Sequence, residues 1–388
     1  MVTKGFKNII NMSKKILIRI SWTVALSNAF PSTSVPFAAR TTLAAPRPLF
    51  VTVFEYAFSN PFINLSKLLT TRYNSASTRK VVVIDIELGD SKLDPRFVSG
   101  FIDGEGCFTI SFVKYKKMKT GWRVMPVFEI ELHGWELPLL EKIKAFFKGA
   151  GVISKTKRIT CKYRVSSVEQ ISKIIIPHFE KYPLITIKRA DYLLFKEVIG
   201  FSINKEHLTI KGIRKTVALK AAMNRGLSYK LKIAFTDIVP VERPLVELPQ
   251  TIDPYWLAGF TSAEGCFNVH LTPSQTHSVG FQVILVFILV QHERDEQLMI
   301  CIMEFLGCGN LYKKKRETFE LRVTKLEHIT QKIIPFFKKY PIKGVKALDF
   351  DDWCDCAKLM EEKKHLTKEG LKQIKKIKAG MNRGRKFD

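Results

Sequence analysis

The chain contains no run of 18 or more uninterrupted apolar residues, so no membrane-spanning helix and no membrane partner are expected. It is short of acid, with 36 Asp+Glu against 63 Lys+Arg over 388 residues. Residues 1–80 are nearly free of it, with Glu55 alone facing 11 basic residues. Cysteine is sparse and unpaired in pattern. The seven (Cys107, Cys161, Cys266, Cys301, Cys308, Cys354 and Cys356) are an odd number without a pair of C-x-x-C units, which points to a reduced, non-secreted protein. Collagen-like and low-complexity compositions are excluded. At 46% hydrophobic and 26% charged, so is wholesale disorder.

What is present in excess is positive charge. A formal surplus of +27 repels itself in a compact chain unless a polyanion neutralises it, and nucleic acid is the first candidate. About +10 of that surplus falls in residues 1–80 and +17 in the rest. The Ser/Thr/Ala/Arg-rich opening resembles an organellar targeting segment, which implies the mitochondrion or alternatively a plastid. The competing reading is an upstream extension that carries no address. Arg19 and Ser21 interrupt the apolar stretch Ile16–Phe30, which weakens a secretory reading. Residues 1–91 are accordingly read as a disordered leader, with a short apolar run at Val81–Ile86 and ordered structure beginning near Lys92.

Beyond the leader the chain repeats itself. Leu93-Asp-Pro-Arg-Phe-Val-Ser-Gly-Phe-Ile-Asp-Gly-Glu-Gly-Cys-Phe108 aligns with Ile252-Asp-Pro-Tyr-Trp-Leu-Ala-Gly-Phe-Thr-Ser-Ala-Glu-Gly-Cys-Phe267 at an offset of 159. Three later blocks match at an offset of 158: the run ending at Pro183 with that ending at Pro341, the His-Leu-Thr at His207 with that at His365, and Met223-Asn-Arg-Gly226 with Met381-Asn-Arg-Gly384. Four collinear matches make the chain a tandem duplication. One domain is expected at 92–236, a proline-bearing linker at 237–250 and a second domain at 251–388.

Each copy has the same pattern of elements. Asp94-Pro95 and Asp253-Pro254 read as an N-cap followed by an N1 proline, opening a helix that ends at Glu105 or Glu264 with Gly106 or Gly265 as glycine C-cap. Strict alternation follows in Cys-Phe-Thr-Ile-Ser-Phe and Cys-Phe-Asn-Val-His-Leu, a strand buried on one face. A second strand is expected at about 122–133 and 280–291. An amphipathic helix with Leu137, Leu140, Ile143 and Phe147 on one face comes next, then two more strands and closing helices. The fold class is α+β, αββαββα per copy, with antiparallel sheets.

The motif helices carry small residues four apart, Gly100/Gly104 and Gly259/Ala263, which lets one helix approach another closely. Two copies of such a helix are expected to pack together and bring Glu105 and Glu264 side by side. Paired carboxylates stay ionised most easily with cations between them, and oxygen ligands favour a hard divalent ion, physiologically Mg²⁺.

Val98-Ser-Gly-Phe-Ile-Asp-Gly-Glu-Gly106 and Leu257-Ala-Gly-Phe-Thr-Ser-Ala-Glu-Gly265 resemble the signature of LAGLIDADG homing endonucleases, in the single-chain, double-motif form found in organellar introns. The similarity runs from about Lys92 to Arg385. It implies two LAGLIDADG domains with saddle-shaped sheets, related by a pseudo-twofold axis in a monomer. It also implies two or more Mg²⁺ ions held by Glu105 and Glu264, with the carbonyls of Gly104 and Ala263, and a basic residue near the active site, for which Arg164 and Arg322 are the candidates. Metals flanking the scissile phosphates would activate water and assist the leaving oxygen. The implied product is a double-strand break with short 3′ overhangs, in the service of intron mobility.

Strand parity then sorts the DNA-facing side chains. Phe108, Ile110 and Phe112 go to the core, leaving Thr109, Ser111 and Tyr115 outward. In the second copy Asn268, His270 and Thr272 are outward. Arg123, Glu129 and Gln282 follow on the next strands, then Lys157, Arg158, Lys162, Lys313, Lys315 and Arg316. A polar sheet face suits the major groove of double-stranded DNA, while half or more of such contacts go to phosphate. The halves differ, so the target is asymmetric. One departure stands out: where the family often has a water-ordering polar residue, this chain has Glu129 and Ile288, which bears on cleavage. The alternatives are an RNA maturase, with intron RNA as partner, and a cleavage-inactive DNA-binding protein.

Overall fold

A computed structural model of the chain describes residues 92–156 and 159–386, together with the backbone of a short antiparallel ribbon pairing Arg19–Ser21 with Val81–Val83. Apart from that ribbon, the expectations for the leader at 1–91 lie outside the described residues, as do those for Lys157 and Arg158. Residues 92–388 form one unit and residues 1–91 another.

In the first half the order is α1 (Pro95–Glu105), β1 (Gly106–Lys114), β2 (Trp122–His133), α2 (Leu137–Phe146), β3 (Val152–Lys155), β4 (Thr160–Val165), and later α3 (Lys188–Ile203) and α4 (Ile210–Ala222). The second half repeats it as α5 (Pro254–Glu264), β5 (Gly265–Pro273), β6 (Phe281–His292), α6 (Glu296–Leu306), β7 (Asn310–Lys314), β8 (Thr318–Val323), α7 (Lys346–Glu361) and α8 (Lys368–Ala379). Each half builds a four-stranded antiparallel sheet, in the orders β1-β2-β4-β3 and β5-β6-β8-β7. Two α+β halves of the expected topology are therefore present, and residues 235–253 between them carry no helix or strand.

Local chemistry explains the elements. Asp94 Oδ1 accepts from the N–H groups of Arg96 (2.7 Å) and Phe97 (3.3 Å), and Asp253 Oδ1 from those of Tyr255 (2.9 Å) and Trp256 (3.1 Å). Such caps contribute about 1 kcal/mol each. The helices end at the expected glycine C-caps, whose N–H groups donate to the carbonyls of Ile102 and Thr261. Gly106 (φ −76°) and Gly265 (φ −72°) are extended, not left-handed. They are small because a Cβ at Gly106 would lie 2.4 Å from Ile102 Cγ2, and one at Gly265 would lie 2.5 Å from Thr261 Cγ2. In α2 the buried face comprises Leu139, Leu140 and Ile143, with Leu137 only half-buried.

Each half has its own aromatic core. Phe108 packs on Phe128 (5.2 Å between centroids) and Phe179 (5.5 Å), and its counterpart Phe267 packs on Phe287 (5.4 Å) and Phe337 (5.8 Å). The helices spanning 168–181 and 326–339 contain Pro177 and Pro335, and just upstream Ile171–Ile175 and Ile329–Ile333 widen into π register. That widening accommodates a ring that cannot donate and would crowd the preceding turn. The repeated Met-Asn-Arg-Gly block is a clasp. Asn224 and Asn382 donate Nδ2–H to the carbonyls of Phe108 (2.8 Å) and Phe267 (3.0 Å), tying the chain end of each half to its first strand.

Candidate active site and nucleic-acid interface

The two motif helices pack directly on each other through their small residues. A Cβ at Gly100 would lie 2.0 Å from the Trp256 carbonyl oxygen, and one at Gly259 would lie 2.0 Å from that of Phe97. One turn on, a Cβ at Gly104 would meet Ala263 Cβ at 2.3 Å and Glu264 Oε1 at 3.5 Å. The backbones touch where side chains are missing, and this packing brings both helix ends to one place.

Glu105 and Glu264 lie there, half-buried. Burial, and then the charge of Glu264, raise the Glu105 carboxyl above its ordinary range, while the cations Lys346 and Lys188 oppose that rise. Sequence reasoning does not single out these two lysines. Lys188 Nζ donates to the carbonyls of Gly104 (2.7 Å) and Ile102 (3.0 Å), and Lys346 Nζ donates to those of Ala263 (2.6 Å) and Thr261 (3.3 Å). Burial lowers the basicity of both ammoniums, and the nearby carboxylates partly restore it. The signal that could have found them is their equivalence at an offset of 158, each opening a helix in its own half.

The donor set here is oxygen only: two carboxylates, and the carbonyls of Gly104 and Ala263, which the lysines already engage on one side. Among the described residues no cluster of three or more His, Cys, Asp and Glu is placed to hold a metal. Two like-charged carboxylates brought together beside helix-end carbonyls, with the Glu105 carboxyl raised by burial and by Glu264, fit a hard divalent cation such as Mg²⁺, since a cation between them relieves that repulsion.

A buried acid braces the same place. Asp103 accepts from Ile185 N–H (2.9 Å), Thr186 N–H (3.3 Å), Thr186 Oγ1–H (2.6 Å) and Trp256 Nε1–H (2.8 Å). Desolvation nevertheless raises its pKa above the ordinary value. It joins α1, the loop before Lys188, and α5.

The strand registers set the outward faces. Cys107 faces Glu129, and Glu129 faces Arg164; in the second half Cys266 faces Ile288, and Ile288 faces Arg322. Thr109, Ser111 and Arg123 share the first face, and Asn268, His270, Thr272 and Gln282 the second. Tyr115 sits exposed just beyond β1. Lys162 pairs with Glu131 (2.9 Å) and Glu129 (3.6 Å), while Arg322 Nε donates to Glu320 (2.6 Å). Lys313 does not share this face. It lies opposite buried Phe319 and pairs with Glu293 at 3.2 Å, whereas its neighbour Lys314 lies opposite Thr318. Lys315 and Arg316 occupy the exposed turn after β7, where Arg316 has φ +75°.

Two homologous halves that meet at paired helix ends, share an acidic centre and spread two polar-faced sheets define a single-chain pseudo-dimer. The family model described as LAGLIDADG endonuclease matches residues 98–199 and 257–357, and the chain belongs to that family. It is 41% identical over 286 residues to "Probable intron-encoded endonuclease 3" of Neurospora crassa, covering 73% of this chain and 53% of that relative. It is 34% identical over 332 residues to "Probable intron-encoded endonuclease 2" of the same fungus, covering 82% and 72%. The chain thus spans about half the length of the first of these relatives. Its fold is similar to that of the I-SmaMI LAGLIDADG homing endonuclease bound to cleaved DNA, with a TM-score of 0.75 and 48% identity over 76% of this chain and 98% of that one. I-SmaMI has also been solved on an uncleaved DNA target in the presence of calcium ions.

Proposed function

We propose that this chain is an intron-encoded, site-specific DNA endonuclease that makes a double-strand break in a long asymmetric duplex and so promotes intron mobility. The observation that carries the reading is the pairing of Glu105 with Glu264 at one helix junction, with Lys188 and Lys346 on the carbonyls beside them. Mitochondrial location belongs to the same proposal, supported by relatives named for cox1 introns.

Glu105 and Glu264, with the carbonyls of Gly104 and Ala263, would hold divalent magnesium, which supplies Lewis-acid polarisation of the phosphate and an activated water. The remaining work falls to the chain. Lys188 and Lys346 present ammoniums of lowered basicity beside the carboxylates. They can donate hydrogen bonds to charge developing on a phosphoryl oxygen and pass a proton at Nζ. The pseudo-twofold pairing gives each strand of a duplex its own acid and lysine. Arg164 and Arg322 stand one strand further out, as phosphate contacts or supports for the same charge. On the sheets, Thr109, Ser111, Arg123 and Glu129 face one half-site, while Asn268, His270, Thr272 and Gln282 face a different one.

Replacing Glu105 or Glu264 by Gln should abolish Mg²⁺-dependent cutting of a target selected from a randomised duplex library, with binding in Ca²⁺ retained. If either variant cuts as fast as the parent, the assignment fails.

A further inference from the structure

Lys188 and Lys346 are the first residues of α3 and α7, and the residues preceding them, Ile187 and Val345, have no side chain that can cap a helix. The caps come from elsewhere. Asp295 Oδ1 accepts the Ile187 N–H at 2.7 Å, and Glu136 Oε1 accepts the Val345 N–H at 3.0 Å. Asp295 belongs to the second half and supports the first half's lysine, whereas Glu136 belongs to the first half and supports the second's. The two acids are equivalent positions at an offset of 159, each in the single turn after the long second strand.

Both carboxylates are held where a carboxylate is unfavourable. Asp295 is 7% exposed, and burial pushes its pKa up to about 6. Burial also raises that of Glu136, whose Oε2 is buried without a hydrogen-bond partner. A turn acid that merely solvated its own strand end would point to water. The sizes around them are matched too. In the first half, the lysine loop is gripped from its own side by Asp103 through Thr186. In the second half, the corresponding residues are Ser262, whose Oγ accepts from Lys343 N–H at 3.1 Å, and Gly344. A Cβ at Gly344 would lie 2.4 Å from Glu136 Oε2. The longer acid therefore reaches in where the loop residue is smallest.

We propose that Asp295 and Glu136 are positioning residues acting across the junction, Asp295 placing Lys188 and Glu136 placing Lys346, so that each half's lysine is set only when the other half is seated. This rests on the cleavage role given to the lysines above.

The test uses the full chain and a duplex target labelled separately on each strand, with cleavage started by Mg²⁺. Asp295→Ala is expected to slow one strand ~10-fold relative to the other, and Glu136→Ala to slow the opposite strand, so that nicked duplex accumulates in both. Asp295→Asn and Glu136→Gln keep an acceptor oxygen and should return the strand ratio to within ~3-fold of the parent. Alanine variants that slow both strands alike, or that favour the same strand, overturn the proposal, as do amide variants that rescue nothing. A second readout is independent of cutting. In reductively ¹³C-methylated protein at one fixed pH, the Lys188 methyl resonance should change position in Asp295→Ala while that of Lys346 stays, and the reverse should hold in Glu136→Ala. If neither moves, or both move together, the cross-junction placement is wrong even where the parent cuts. If the parent itself does not cut but the resonances respond selectively, the endonuclease reading fails and the placement survives.

Discussion

His178 is 9% exposed among aromatic rings, with Phe146 and Phe147 at 5.2 and 5.3 Å edge-on, and Ser99 Oγ 3.1 Å from its Nε2. Burial pushes its pKa down from the ordinary 6.5 to about 4. Folding therefore selects the neutral imidazole, and the unfolded chain binds the extra proton between these two values. The stability this provides is fully present above pH 6.5 and is lost as pH falls toward 4. At about pH 4.5 the loss from this one group comes to about 2.5 kcal/mol. The second half supplies the control, because its equivalent position is Phe336, also packed on a neighbouring ring, Phe337, at 5.0 Å. His178→Phe should leave stability near neutral pH within about 1 kcal/mol of the parent, since Ser99 Oγ keeps its 2.7 Å bond to the Tyr182 carbonyl. Urea denaturation at about pH 7 and about pH 4.5, compared between parent and variant, isolates this contribution from the other titrating groups. The variant should lose about 2.5 kcal/mol less than the parent across that interval. An equal loss in both proteins would refute the assignment of acid sensitivity to this imidazole.

Gly100→Ala or Gly259→Ala puts a methyl 2.0 Å from a backbone oxygen that cannot move aside alone, so either should cost about 3 kcal/mol or more in urea denaturation and weaken cutting through the displaced helix ends. Lys188→Met should slow cutting of the bound duplex by about 10²–10⁴-fold while target affinity in Ca²⁺ changes little, read by single-turnover cleavage beside a binding titration. Neutralising Lys315 and Arg316 should weaken binding evenly across target sequences and make the slope of log K against log salt shallower by about 1 for each phosphate no longer neutralised. His270→Ala should instead relax base preference at one position and leave that slope alone.

How much of the fold and site is legible in the sequence depends on whether the signal is local or repeated. The N-caps at Asp94 and Asp253, the alternation after Gly106 and Gly265, and the close helix packing are written in a few adjacent residues, and the duplication writes each of them twice. Gly106 ends its helix as expected, yet glycine after a helix has two uses. Left-handed backbone is the commoner one, but here the constraint is the Ile102 side chain, one turn away and invisible without coordinates. The face on which Lys313 sits is not legible in the sequence, because strand parity does not carry across a turn and register is set there by pairing with Phe319 rather than by counting. Lys188 and Lys346 are hidden among 63 basic residues. Nothing local marks Lys188 as the one that folds back onto a helix end 84 residues away, and only comparison of the two halves isolates the pair.

The charge surplus is also sorted in a way composition cannot express. Near the acidic centre the outward sheet faces are internally balanced. In the first half Lys162 is engaged by Glu129 and Glu131, and in the second Arg322 and Lys314 are engaged by Glu320. Cations concentrate at the rim, at Lys116, Lys117 and Lys119 in the first hairpin and at Lys315 and Arg316 in the turn after β7, all exposed. A balanced polar surface suits base edges, because unpaired cations there would bind any sequence and blur discrimination, while phosphates run along the sides of a groove and want charge at its edges. The exchange of Glu129 for Ile288 keeps that arrangement. The first half sets two acids against Lys162 and Arg164, whereas the second has no acid at the matching positions of the long strand, Ile288 and Val290, and carries Glu320 where the first half has Lys162. Each face stays near neutral by a different route. The two halves can thus diverge in what they read without either becoming a general polyanion binder, a condition the duplicated centre imposes if both strands of one asymmetric site are to be cut.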